Sequence, residues 1–119
     1  MKFLCLYKPS KPEGSRPTQQ EMEAMGKFVE ESLKTGILLG FEGCLPSAAG
    51  ARIRRSGGKF TVTDGPFTEA KEIVGGFALI EMGSKKEAIE YTKRFLDVAG
   101  DGETEIRQVF VAEAATGTR

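Results

Sequence analysis

The fold of this chain is constrained most by two helices that begin and end with the same sequence signals. The segments T-Q-Q-E at 18–21 and S-K-K-E at 84–87 fit the capping box, in which a hydroxyl and a glutamate each bond the other residue's free backbone N–H. Apolar residues follow at helical spacing, and Gly36 and Gly100 supply the residue that ends each helix. The predicted inner faces are Met22, Met25, Phe28, Val29 and Leu33 in the first helix and Ile89, Thr92, Phe95, Leu96 and Ala99 in the second.

The segments around these helices predict strands of a sheet. Short apolar runs flank each helix, and between the two halves A-R-I-R-R-S and K-F-T-V-T form a hairpin that turns at Gly57-Gly58. The order β-α-β-hairpin-β-α-β is typical of a ferredoxin-like α+β fold with an inserted β-hairpin. We expect one domain over 1–119, with 112–119 as a frayed tail. The strands outside the hairpin are predicted at 1–7, 37–45, 73–82 and 104–111.

The strands at 1–7, 37–45 and 73–82 are apolar in both alternating phases, so both faces of the sheet are expected to be buried. Two helices cover only one face. We therefore predict a homodimer in which the helix-free sheet faces pack together and close a dimeric α+β barrel. The alternative is a monomer in which the loops 8–17 and 43–50 fold over the open face. Their polar, glycine-rich sequences favour the dimer.

The composition excludes several classes of function. The chain has no histidine and two cysteines, so it lacks a Ser-His or Cys-His nucleophile pair and cannot complete a four-ligand zinc site from these residues alone. We expect no metal and no cofactor. A net charge of zero argues against a nucleic-acid partner. No apolar run has the length of a membrane span or a signal-peptide core, so we expect a cytoplasmic protein with free thiols and no membrane partner.

A nine-residue run, D-G-P-F-T-E-A-K-E at 64–72, is followed by I-V-G-G-F-A-L-I-E at 73–81. Together with the opening M-K-F-L-C-L-Y and the segment F-E-G-C-L-P, these runs resemble the YCII-related proteins of the D-G-P-F group, in the dimeric α+β-barrel superfamily. The resemblance covers nearly the whole chain and implies a ferredoxin-like fold, a dimer and a frequent genetic link to extracytoplasmic-function sigma factors. It also implies a His–Asp pair in the classical members. Because this chain has no histidine, only Asp64 carries over.

Asp64 is the first candidate catalytic residue. With the hairpin turning at its glycine pair, Ala51 lies opposite Asp64. The carboxylate then extends the apolar hairpin face, which carries Ile53, Phe60 and Val62. Desolvation at the edge of apolar surface raises a carboxyl pKa and would make Asp64 a usable general base. The alternative is that Asp64 bonds the backbone of its own D-G-P-F turn.

Glu42 is the second candidate catalytic residue, because it stands between Gly40 and Gly43 in an otherwise apolar strand. Small neighbours leave space for a ligand, into which Glu42 would project. Equally, the glycines mark a bulge on an edge strand with Glu42 in solvent. A second glycine pair, at 75–76, marks a bulge or a place where another backbone or a ligand comes close. The candidate ligand-binding residues are Gly65, Pro66, Phe67, Lys71, Gly75 and Gly76.

These features predict a protein that binds a small molecule in a pocket near the D-G-P-F turn. In one form of this hypothesis the protein is an enzyme with Asp64 or Glu42 as acid or base, although carboxylate-only catalysis suits fewer reactions at neutral pH. In another form it is a non-catalytic ligand-binding or regulatory module linked to sigma-factor signalling. In a third the turn is purely structural within the dimer. The sequence leaves these alternatives open.

Overall fold

A computed structural model describes residues 1–67 and 73–110. In chain order, the elements are β1 (Lys2–Pro9), α1 (Gln19–Lys34), β2 (Leu38–Gly43), β3 (Ala51–Ser56), β4 (Lys59–Asp64), β5 (Gly76–Glu81), α2 (Lys85–Ala99) and β6 (Gly102–Val109), with a short 3₁₀ turn at Ser47–Ala49. The order is the predicted β-α-β-hairpin-β-α-β. The frayed tail expected at 112–119 lies outside the described residues, as does Lys71.

Four strands form an antiparallel sheet in the order β2-β5-β1-β6. The first strand is therefore central and pairs with β5 on one side and β6 on the other. Both helices pack on the same face of this sheet, where Phe3 and Ile80 lie opposite each other in the core with Tyr91 of α2 and Phe28 of α1. This arrangement is a ferredoxin-like α+β fold, as the element order predicts.

The two helices begin where the capping signals predict, but with different hydrogen bonds. At the start of α1, Thr18 Oγ1 accepts from the Glu21 N–H (3.1 Å) and the Glu21 carboxylate accepts from the Thr18 N–H (2.7 Å). At the start of α2, Ser84 Oγ accepts from the Glu87 N–H (3.1 Å), but the Glu87 carboxylate accepts from the Ser84 hydroxyl (3.3 Å). The second capping box is therefore half formed, because the hydroxyl takes the place of the backbone donor.

The buried face of each helix is narrower than the apolar pattern predicts. Ile89 is exposed, because it follows Ala88 by one residue and a helix turns by about 100° per residue. In α1, Met22 and Leu33 are half exposed as well. The residues of α2 that are buried recur at three- and four-residue spacing and are Ala88, Tyr91 and Thr92.

The strand bounds of the main sheet differ from the sequence prediction by a few residues, most clearly at the start of β5. β5 begins at Gly76 and not three residues earlier, because its pairing with β1 ends at Tyr7. Pro9 follows shortly afterwards and has no N–H with which the ladder could continue. In β2, the pairing with β5 shifts register between Leu38 and Gly40. This shift confirms the bulge predicted from the glycines of that strand.

The hairpin formed by β3 and β4 is a separate two-stranded sheet with the predicted register, in which Ala51 lies opposite Asp64. One of its faces carries the apolar side chains of Ile53, Phe60 and Val62, and Phe60 is 69% exposed. We call these three residues the hairpin patch. Within the described part of the chain, nothing covers it.

The sheet face opposite the helices is also apolar at its centre. Leu4 and Leu6 of β1 lie opposite Leu79 and Phe77 of β5. We call these four residues the helix-free patch. The leucines are half-buried among their sheet neighbours, and Phe77 is 42% exposed. The prediction that both sheet faces are apolar is therefore confirmed.

Candidate functional site

A cavity of about 200 Å³ lies between the sheet and the two helices. We call it the helix–sheet cavity. Both helices and all four strands of the main sheet contribute to its walls, which are mostly apolar. Among the lining residues are Cys5, Met25, Val29, Ala78, Tyr91 and Phe95. The protein thus has a partly open, mostly apolar cavity directly beneath its helices.

Small residues on β2 and β5 help to create this space. Gly43 of β2 lies opposite Gly76 of β5, and both residues line the cavity. A Cβ at Gly76 would lie 2.7 Å from the Glu42 carbonyl oxygen, so glycine allows these two strands to approach closely. The close approach of another backbone predicted at the glycine pair is therefore present.

Tyr7 of β1 lines the cavity in a position surrounded by glycines. Gly76 lies opposite Tyr7. A Cβ at Gly75 would lie 3.2 Å from the Tyr7 ring, and a Cβ at Gly102 of β6 would lie 3.0 Å from it. The ring meets Phe95 of α2 edge-on, with 5.2 Å between the ring centroids. The glycines therefore leave room for an aromatic ring where neighbouring strands would otherwise place side chains.

Thr104 of β6 lies directly opposite Tyr7 and lines the same cavity. Its hydroxyl oxygen is buried and has no hydrogen-bond partner among the described residues. A buried hydroxyl without a partner costs roughly 1–3 kcal/mol. The two hydroxyls that α2 contributes are already bonded, since Thr92 donates to a carbonyl of its own helix (2.8 Å) and Tyr91 to a serine of α1 (2.7 Å). Thr104 is therefore a cavity-lining residue whose buried hydroxyl has no partner among the described residues.

Burial raises the pKa values of three side chains that line the cavity. It raises the pKa of the Cys5 thiol to about 11. It also raises the pKa of the Tyr7 hydroxyl, an effect that the nearby Lys11 ammonium opposes, and the pKa of Tyr91. These groups are all neutral at pH 7, so they give the cavity no charge. Cys5 is accordingly a packing residue and not a thiolate nucleophile, as its place in a buried strand predicts.

Glu42 belongs to the cavity wall through its strand, but its side chain lies on the other sheet face. The preceding residue, Phe41, lies opposite Ala78, whereas Glu42 lies opposite Phe77 of the helix-free patch. Successive residues of a strand point to opposite faces, and Glu42 is exposed. The structure thus places Glu42 on an edge strand, next to a bulged segment, with its carboxylate on the helix-free side.

The D-G-P-F turn is fastened to the 3₁₀ turn by Ser47. Ser47 Oγ accepts from the Phe67 N–H (3.0 Å) and donates to the Glu13 carboxylate (2.8 Å), which also accepts from the Ser47 N–H (3.1 Å). A Cβ at Gly65 would collide with the Ser47 carbonyl oxygen, so only glycine fits there. Arg52 lies over the Phe67 ring, 4.1 Å from its centroid. The turn therefore has a defined structural role at the base of the hairpin.

The structure separates the residues that the sequence suggested as one site. Glu42 and Gly76 belong to the wall of the helix–sheet cavity. Gly75 lines a different groove, beside the loop that follows β1. The turn at 64–67 sits at the hairpin base, where Asp64 is exposed and makes no side-chain hydrogen bond with a described residue. Lys71 lies outside the described residues.

Two further properties of the described ranges bear on function. Across residues 1–67 and 73–110, no group of three or more His, Cys, Asp or Glu side chains is placed to hold a metal ion. Within the same ranges, neither helix has the length and apolar character needed to cross a membrane. Cys5 is buried and Cys44 is exposed, and both thiols are free.

Comparison with known proteins identifies the family of this chain. Residues 1–113 match the family model of the YCII-related domain. The chain belongs to the YCII-related family. An uncharacterized protein, R00369, of Rhizobium meliloti (strain 1021) is 36% identical over 84 residues, which are 71% of this chain and 64% of that protein. The match therefore spans slightly less than two thirds of this relative's length.

A solved structure resembles this YCII-related protein in fold. It is 5-chloro-2-hydroxyhydroquinone dehydrochlorinase (TftG) from Burkholderia phenoliruptrix AC1100, in complex with 2,5-dihydroxybenzoquinone. The TM-score is 0.51 at 16% sequence identity, and the likeness covers 94% of this chain and 96% of the other. At this identity the likeness shows a common fold.

Sequence reasoning missed Tyr7 and Thr104 as candidate site residues of this YCII-related protein. Each lies in a predicted strand whose sequence has no feature that indicates a binding site. The two residues are close only because the first strand pairs with the last. One signal was present in the sequence, namely the glycine pair at 75–76. Its position opposite Tyr7 became clear only from the strand register.

Proposed function

We propose that this protein binds a small, mostly apolar molecule in the helix–sheet cavity. The proposal depends on one observation: a cavity of about 200 Å³ has mostly apolar walls and is lined in part by Thr104, whose buried hydroxyl has no partner among the described residues. An apolar cavity of roughly 150 Å³, engineered in another protein, takes up benzene. The volume therefore suits a molecule of about one ring.

The complex of TftG gives independent support for a ligand of this size. TftG has the same fold, and its ligand, 2,5-dihydroxybenzoquinone, consists of one six-membered ring with oxygen substituents. A ring of that size matches the volume available beneath the helices here. From the TftG complex we infer the approximate size of the ligand of this protein and not its identity.

A catalytic form of the hypothesis, in which Glu42 or Asp64 acts as a carboxylate acid or base near the D-G-P-F turn, needs a reaction site outside the helix–sheet cavity, because neither carboxylate lies in it. Residues 44–46 connect the cavity strand β2 to Ser47, which accepts a hydrogen bond from the turn. Both carboxylates are exposed in a single copy, so a partner subunit would have to exclude water from them. The competing form is a non-catalytic binding or regulatory module. Turnover of the bound molecule separates the two forms.

We also propose a homodimer that forms through the helix-free sheet face. The helix-free patch is apolar on a face that carries no helix, and the hairpin patch adds further exposed apolar side chains. Burying such side chains contributes about 25 cal/mol per Å² of apolar surface. In this assembly Glu42, opposite Phe77, lies at the edge of the interface.

The binding proposal is tested by filling the cavity. Fluorobenzene is added to the purified protein, and binding is followed by ¹⁹F NMR. Ala78→Leu extends a side chain into the cavity and should abolish binding, because Ala78 lines it. Ala24→Leu adds the same atoms on an exposed position of α1 and should bind as the wild type does. Fluorobenzene that fails to bind the wild type, or binds Ala78→Leu equally well, would refute the proposal.

A further inference from the structure

We infer that Thr104 determines which molecules the helix–sheet cavity accepts, by donating a hydrogen bond to an oxygen of a one-ring ligand. This inference deepens the proposed function and rests on it. Thr104 lies on β6 directly opposite Tyr7, and its hydroxyl oxygen is buried without a partner among the described residues. A ligand oxygen at this point would satisfy the hydroxyl.

The polarity of the cavity favours such a ligand over a water molecule. A buried water typically requires two to four polar partners. Three other residues that line the cavity carry hydroxyls: Tyr91 donates to Ser32, Thr92 donates to the Ala88 carbonyl, and Tyr7 lies opposite Thr104. Most of the remaining wall is apolar, so a water next to Thr104 would leave hydrogen bonds unmade. A ligand with an apolar ring and a single oxygen matches both the wall and the hydroxyl.

The surroundings of Thr104 indicate where the ring of the ligand would lie. The Tyr7 ring, which Phe95 contacts edge-on, forms the wall beside Thr104. Gly76, on the other side of Tyr7, contributes no side chain. An aromatic or quinone-like ring has space to pack against Tyr7, and ring pairs of this kind are favourable beyond their buried area. The expected ligand class is therefore a phenol, a quinone or a cyclic ketone of one ring.

The test compares two probes that differ by one hydroxyl. The affinities of fluorobenzene and 4-fluorophenol are measured by ¹⁹F NMR titration at pH 7 for the wild type and for Thr104→Val, which keeps the shape of the side chain and removes the hydroxyl. We expect Thr104→Val to weaken 4-fluorophenol binding about 3- to 10-fold, the factor of a neutral hydrogen bond. Fluorobenzene affinity should not fall.

Two control variants separate a hydrogen bond from a change in cavity shape. Thr92→Val removes a hydroxyl from the same cavity, but one that already donates within its helix; it should leave the ratio of the two affinities unchanged. Thr104→Ser keeps the hydroxyl and should preserve the preference for 4-fluorophenol. The melting temperature of Thr104→Val should be equal to or above that of the wild type, because the variant removes an unsatisfied polar atom.

The possible failures are distinguishable. If neither probe binds the wild type, the proposed function itself is wrong. If fluorobenzene binds but Thr104→Val leaves 4-fluorophenol affinity unchanged, the cavity is a binding site and the role of Thr104 is wrong. Equal weakening of both probes in Thr104→Val would also overturn the inference, since it would reflect altered shape and not a lost hydrogen bond.

Discussion

The two faces of the main sheet have similar apolar sequences and different surroundings. On the helix-covered face, Phe3 and Ile80 are fully buried beneath α1 and α2. On the opposite face, Leu79 is only half-buried and its neighbour Phe77 is 42% exposed. The difference shows that an apolar strand predicts that a face will be covered, but not what covers it. On one face the cover is in the same chain, and on the other it is the partner subunit that we propose.

The hairpin extends the same contrast. Side chains alternate along its strands between a polar face and an apolar face, which is typical of a hairpin with one buried face. The hairpin patch nevertheless has no cover in the described part of its own chain. Apolar side chains in this arrangement are typical of a surface that a partner covers. Substitutions on each of these surfaces test whether a partner covers it.

A charge in the helix-free patch should have the largest effect. Leu79→Asp should abolish the dimer and lead to unfolding or aggregation, because it places a carboxylate in an apolar interface. Leu39→Asp, on an exposed apolar side chain at the register shift of β2, tests whether this edge strand belongs to the same interface. Thr61→Asp, on the polar face of the hairpin, is the control and should remain dimeric. Sedimentation measures the outcome, and a stable wild-type monomer at micromolar concentration would contradict the dimer.

Truncation of neighbouring residues should separate the two faces. Ile80→Ala removes a fully buried core side chain and should lower the free energy of unfolding by about 2–5 kcal/mol at any protein concentration. Leu79→Ala should destabilise the protein mainly through the dimer, so its effect should depend on protein concentration. Urea denaturation at two concentrations measures both. Concentration-independent losses for both variants would show that Leu79 is stabilised within its own subunit.

The base of the hairpin should be sensitive to a single methyl group. Gly65→Ala places a Cβ against the Ser47 carbonyl and should cost about 1–3 kcal/mol, because the backbone must shift. Gly26→Ala in α1, where no atom lies within 4 Å of the added Cβ, should instead stabilise by about 0.5–1 kcal/mol. Thermal denaturation of both variants checks the pair. Equal tolerance of both changes would mean that the turn is not fastened to Ser47.

The two thiols should differ in reactivity and in their effect on stability. A thiol reagent should modify Cys44 quickly and Cys5 only on unfolding, because Cys44 is exposed and Cys5 is buried.

Burial raises the pKa of Cys5 to about 11, so above roughly pH 8.5 the unfolded chain releases a proton that the folded chain keeps. The free energy of unfolding should therefore fall as the pH rises from that value toward 11. Cys5→Ala should reduce this slope, and an unchanged slope would contradict the assignment.

Substitution of Asp64 should have the smallest effect on stability. Asp64→Asn and Asp64→Ala should each change it by less than about 0.5 kcal/mol, because the side chain is exposed and makes no hydrogen bond with a described residue. A loss of about 0.5–2 kcal/mol in Asp64→Ala alone would show that Asp64 holds its own turn. If Asp64 is a site residue in the dimer, Asp64→Asn should reduce ligand affinity or turnover while the melting temperature stays the same.

Much of the fold was accessible from the sequence because its signals are local. The Thr18 capping box, the left-handed Gly36 that follows α1, the hairpin register and the bulge near Gly40 each have a signal in residues that are close together in the chain. The predicted site was less accessible. Asp64 and Glu42 attract attention as charges beside glycines, whereas the cavity lies among residues such as Tyr7 and Thr104 that are unremarkable in sequence.

The element order, the helix starts, the hairpin turn and the apolar character of both sheet faces are encoded locally, because each follows from hydrogen bonds and side-chain alternation over a few residues. The folded chain adds three placements: Thr104 lies opposite Tyr7, Gly76 lies against the Glu42 backbone, and the Glu42 side chain is on the helix-free face. These placements depend on the pairing of strands that are distant in the chain. A shift of one residue in that pairing would move every side chain to the opposite face.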